Sequence, residues 1–211
     1  MGIAEPDVAL TDYALALECG MFVWCLRGAG AQGRRFAVFF AATACAAALG
    51  GTVHGFYPDA NSFVARLLWS ATLLAIGVAA LGAWAAGAAL VLTAQRVRWV
   101  VRAAALELIG YTVVVLSGAT AFVVAIYQYF PAAVFLLIAF AIAWTRRRAT
   151  PLLFGIAGAA LTLIAAAAQH AEWALSPRYF TYNATYHAVQ AIACALLFAY
   201  AHAARTKTDP T

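Results

Sequence analysis

Apolar residues run along this chain in long blocks separated by short polar punctuation. The blocks cover residues 9–28, 36–56, 62–93, 99–128, 131–146, 150–174 and 180–204. A helix that crosses a bilayer needs roughly 20 mostly apolar residues. The pattern therefore predicts an all-α, single-domain bundle of seven membrane-spanning helices. The third and fourth blocks exceed one crossing, which implies tilt, a kink near Gly82 or Gly118, or extension past the bilayer. The fifth is short and follows "YQYFPAA", where Pro131 suits the first turn of a helix.

The punctuation is largely arginine, and its placement is one-sided. Arg27, Arg34 and Arg35 follow the first block; Arg96, Arg98 and Arg102 follow the third; Arg146, Arg147 and Arg148 follow the fifth; Arg205 and Lys207 close the chain. These are eleven of the 13 basic residues, and only Arg66 and Arg178 fall in the alternate loops. Basic residues accumulate on the cytoplasmic side of membrane proteins. The pattern thus predicts an N-terminus outside and a C-terminus in the cytoplasm.

Composition supports the class. The 211 residues are 66% hydrophobic and 10% charged, with a mean hydropathy of +0.87, whereas soluble domains are about 25% charged. The net charge of +5 resides in those loop clusters and reads as topology, not as a nucleic-acid surface. An Ala- and Gly-rich chain with Lys207 as its sole lysine matches a GC-rich bacterial genome, and hence an inner-membrane location. Cys19, Cys25, Cys45 and Cys194 lie inside apolar blocks and read as small packing residues. The first residues, "MGIAEPDVALTD", lack the basic start of a signal peptide.

Polar residues inside the blocks change the picture further, because they are costly at membrane depth and usually face a protein interior. The last block opens with "FTYNATYHAVQ". Asn183, His187, Gln190 and Cys194 fall at offsets of 0, 4, 7 and 11, one face of a helix. Thr11, Glu18 and Cys25 recur at sevens in the first block. His54 ends the second, one turn after Gly50 and Gly51, a glycine pair that lets another helix approach closely. Asp59 follows in the loop. All but the deepest of these sit toward the outer ends, so one outer-leaflet pocket is expected.

Plainer roles compete with this. Asp59 in "YPDANS" also reads as a turn former, with Asn61 or Ser62 capping the next helix. His170, Glu172 and Trp173 read as interfacial residues, and Glu107 as part of an interhelical hydrogen-bond network. A retinal protein needs a lysine in the last span, and none is there. A haem would take His54 and His187 as its one available pair. Zinc takes His nitrogens and carboxylates with one position left open; His54 and His187 with a third group would supply that.

A histidine at the outer end of span two, and a last span opening with two polar groups four apart, resemble the alkaline ceramidases of the CREST superfamily of seven-helix membrane hydrolases. That resemblance implies a zinc ion held by a helix-two His and a His-x-x-x-His pair in helix seven, a nearby Ser and an acidic residue. His54 matches the first ligand and His187 the second of the pair, while Asn183 stands where the other His would be and Gly50 where the Ser would be. "NATYHAVQ" also resembles a bacterial family of seven-helix proteins with Asn-x-x-Tyr-His in the last span. The resemblance implies a zinc-dependent hydrolase of a lipid amide or ester, with His54, His187 and Asn183 at the metal. Glu18 or Asp59 would move the proton. The alternative is a non-enzymatic bundle in which the same residues form a polar, ligand-binding or structural cluster.

Overall fold

A computed structural model describes residues 2–205, so Lys207 lies outside the described residues. The described residues form seven helices: α1 (Pro6–Cys25), α2 (Ala31–Phe56), α3 (Phe63–Val91), α4 (Ala94–Leu116), α5 (Phe122–Arg147), α6 (Pro151–His170) and α7 (Tyr182–Arg205). Each is long and apolar enough to cross a membrane. Pro6 and Pro151 occupy first turns, where a missing N–H costs nothing. Ser62 caps α3 by accepting from the Ala65 amide at 3.2 Å.

The largest departure from the apolar pattern is the α4–α5 boundary. The chain turns around Gly118, at φ +102°, and not at "YQYFPAA". Pro131 is internal to α5. A left-handed residue after a helix end favours glycine. The turn has no charge to mark it, because Ser117, Gly118 and Thr120 sit between two apolar stretches. α5 therefore begins at Phe122 and is no shorter than its neighbours.

Helix neighbours define a ring. α1 packs on α2, α2 on α3, α3 on α5, α5 on α6, α6 on α7, and α7 back on α1. α4 lies against α3 outside the ring and is the least buried helix. Two ends result. The arginine end carries an aromatic and alanine core. Phe36 and Phe40 of α2, Phe140 of α5 and Tyr200 of α7 pack edge-on or tilted within 4.8–6.3 Å. Gly155 of α6 takes the face of Phe140. Arginines there close helix C-termini: Arg147 Nη2 donates to the Leu90 carbonyl at 2.7 Å, and Arg205 Nη1 to that of Cys25 at 2.7 Å.

At the opposite end the first and last helices are pinned together. Asp7 Oδ2 accepts from both the amide and the hydroxyl of Thr181, at 2.8 and 2.7 Å. The amides of Ala4 and Glu5 donate to the Gly55 and His54 carbonyls at 3.0 and 3.2 Å, satisfying the end of α2.

Candidate functional site

Inside the ring, toward the end where α1 and α7 begin, lies a cavity of about 280 Å³ to which every ring helix contributes. Its walls are mainly apolar and aromatic, and Asp12 of α1 is the sole acid among the described residues that line it. At Asp12, α1 meets α2 over the glycine pair. A methyl on Gly51 would stand 2.8 Å from Asp12 Cβ, and one on Gly50 would stand 3.5 Å from Asp12 Oδ2. The absence of those side chains is what admits Asp12 to the interior, 3% exposed. The glycine pair thus serves close helix approach, as its position before His54 implied.

Asp12 meets His187 of α7, with Nε2 to Oδ1 at 3.3 Å. The other ring nitrogen, Nδ1, lies 3.5 Å from Thr11 Oγ1, whose hydroxyl also reaches the Asp7 and Val8 carbonyls at 2.9 and 3.0 Å. A neutral imidazole has one donor and one acceptor nitrogen. With a carboxylate at Nε2 the proton belongs there, while the one hydroxyl proton of Thr11 is drawn to the Asp7 and Val8 carbonyls, so its 3.5 Å approach to Nδ1 is a loose polar contact. Such a His–Asp pair fixes ring orientation and can pass a proton between carboxylate and imidazole.

One turn deeper, Gln190 is 4% exposed. Its Nε2 points to Thr162 Oγ1 at 3.4 Å and Cys194 Sγ at 3.6 Å. Asn183 Oδ1 accepts from Gln169 Nε2 at 3.5 Å. Among the described residues of α1 and α7 three buried polar oxygens have no hydrogen-bond partner: Asp12 Oδ2, Glu18 Oε2 and Gln190 Oε1. Two of them, on Asp12 and Gln190, belong to cavity-lining residues.

His54, His187 and Asn183 all line this cavity. The α7 stripe of Asn183, His187, Gln190 and Cys194 does face inward. Glu18 and Asp59 do not line the cavity. Glu18 is half-buried on another face of α1, and Asp59 is exposed in the α2–α3 loop, where its Oδ1 accepts from the Asn61 amide at 3.0 Å. That is the turn-forming role. Glu107 is exposed on α4, where the apolar pattern had placed an interhelical network.

On α1 the inward register is one residue away from Thr11, Glu18 and Cys25: it is Asp12, Cys19 and Leu26 that are buried. Asp12 is therefore the site residue that the heptad of polar positions conceals. Its signal was an acidic residue within an apolar block, in a protein whose second span offers a glycine pair.

His54 lies at the cavity rim with Nδ1 3.1 Å from Glu5 Oε2, while His187 is engaged by Asp12 and Thr11. Among the described residues no group of three or more His, Cys, Asp or Glu side chains is placed to hold a metal ion. The arrangement does not make a zinc shell.

Fold and site together define an all-α, seven-helix bundle with an internal cavity whose polar end joins the first helix to the last. The chain belongs to a family of unknown function, DUF6962, whose sequence profile matches residues 8–206. No curated protein and no solved structure matches it.

Proposed function

We propose that this protein is a membrane-embedded receptor for an amphiphile, inserted in a bacterial inner membrane with its N-terminus outside. The observation that carries the reading is the cavity itself. It is a mainly apolar chamber with aromatic walls, lined also by Asp12, His187 and Gln190, of which Asp12 and His187 meet at 3.3 Å. Such a chamber suits a ligand with an alkyl body and a polar head. Entry from the outer leaflet places the head near the start of α1 and α7. The one-sided arginines support the orientation.

Orientation is tested by labelling single-cysteine variants in intact spheroplasts. A cysteine at Asn61 should react with an impermeant reagent and one at Arg147 should not. The reverse pattern would overturn the topology. Binding is tested by titrating purified protein in nanodiscs with octanol. Saturable binding is expected for the parent and its loss for Ala166→Phe, which adds bulk at the cavity wall. Absence of saturable binding to the parent, by octanol and by its amine and carboxylate analogues alike, would end this reading.

The second reading is the zinc-dependent lipid hydrolase that the CREST resemblance implies. What favours it is that His54, His187 and Asn183 share one cavity. It requires those side chains to close around a metal from positions they do not now occupy together. Metal analysis decides it. Zinc in the purified protein, lost in both His54→Ala and His187→Ala, would favour hydrolysis of a lipid amide or ester. A metal-free protein after zinc supply would remove that reading.

A further inference from the structure

We propose that the head group received at the polar end of the cavity is a primary ammonium, so that the ligand is a cationic, single-chain amine. The inference rests on the amphiphile-receptor reading and adds the chemistry of the head.

The two unpartnered atoms that belong to cavity-lining residues, Asp12 Oδ2 and Gln190 Oε1, are both oxygens that can only accept if Asp12 is ionised. Both residues are almost fully buried, at 3% and 4% exposure. Their remaining polar atoms are engaged: Asp12 Oδ1 by His187, and Gln190 Nε2 by Thr162 and Cys194. Buried acceptors left without donors are costly, and a buried carboxylate without a countercharge more so. Among the described residues lining the cavity there is no lysine or arginine, and Asp12 is the sole acid. His187, the basic side chain that meets Asp12, lies at Oδ1, so Oδ2 and Gln190 Oε1 still lack donors and Oδ2 still lacks a positive group beside it.

An ammonium supplies three donors and a positive charge in one atom. An alcohol brings one donor and no charge. A carboxylate or phosphate head would face Asp12 as a like charge. The walls agree, since Trp69, Phe122, Tyr129 and Tyr186 line the same chamber, and aromatic faces attract cations. Gly50 completes the case, because no side chain there covers Asp12 Oδ2.

The test uses the full chain in zwitterionic nanodiscs, titrated calorimetrically with octylamine, octanol and octanoate, with empty discs subtracted. Octylamine should bind more tightly than octanol by about tenfold or more, the worth of a charge-assisted hydrogen bond. Octanoate should bind most weakly. Asp12→Asn should bring octylamine down to the affinity of octanol. If that variant fails to fold, Gly50→Ser answers instead. Its Cβ has ordinary clearance, 3.5 Å from Asp12 Oδ2, so its hydroxyl can occupy the free oxygen; it should cut the preference for the amine. Equal binding of octylamine and octanol, or an amine preference undiminished in Gly50→Ser, would overturn the ammonium assignment and leave the amphiphile receptor standing. No saturable binding of any probe would overturn the receptor reading and this inference with it.

Discussion

The two ends of the bundle are built from the same helices and solve opposite problems. At the arginine end, large rings from α2, α5 and α7 fill the middle of the ring, and a glycine on α6 yields space to Phe140. At the other end, glycines on α2 yield space to a carboxylate, and the middle of the ring stays open as a cavity. Glycine does the same steric work in both places; what it admits differs. One admission fills the interior with a ring, and the other brings in a carboxylate with one oxygen, Asp12 Oδ2, left without a partner. The packed end should hold the helices together, and the open end should tolerate polar change at the expense of binding.

That contrast can be broken most directly at Phe140. It is fully buried among Phe36 and Tyr200, so Phe140→Ala should cost about 3–5 kcal/mol. Reversible unfolding in detergent would read this; a loss comparable to that of a cavity-end substitution would erase the distinction between the ends.

Gly51→Ala comes next. The new methyl meets Asp12 Cβ at 2.8 Å, and α1 must move to accommodate it, for about 1–3 kcal/mol. Gly50→Ala, at 3.5 Å from the nearest atom, should be close to neutral in the same assay. Equal effects would mean that α1 and α2 do not meet in this register.

His187→Ala removes the donor to Asp12 and should destabilise by about 1–3 kcal/mol through the carboxylate left unpaired. Its amphiphile binding should fall further than its stability. A variant that is stable and still binds octylamine as the parent does would take His187 out of the site.

The smallest effect is expected at His54. Its contact with Glu5 is with a side chain 51% exposed, so solvent screens it. His54→Ala should shift stability by about 0–1 kcal/mol. A loss as large as that of His187→Ala would show the two histidines acting as one unit, which is what a shared metal requires.

Much of the fold was legible because seven apolar blocks are hard to mistake, and five of the seven helices lie close to their blocks. The α4–α5 turn was not legible, since Val113–Leu116 and the first residues of α5 are apolar on both sides of it. A mid-helix Pro131 imitated a helix start. Within the site, α7 could be read from its own sequence, where polar residues repeat on one face. α1 could not. Asp7, Asp12 and Glu18 all lie in that helix, and which of them turns inward depends on where α2 presents its glycines. That is tertiary information, and periodicity within α1 favoured the neighbouring register.

The hydrogen bonds of Asp7 to Thr181 have a consequence for synthesis. They join positions 174 residues apart, and the Asp12–His187 contact is as remote in sequence. A ribosome delivers α1 first and α7 last, at about 5–20 residues per second. For the interval between, roughly ten seconds or more at those rates, Asp12 has neither its imidazole nor a closed ring around it. The nascent chain carries an unsheltered acid in its first helix until the seventh arrives, so a chain released early would lack the Asp12–His187 contact and keep that acid without its partner.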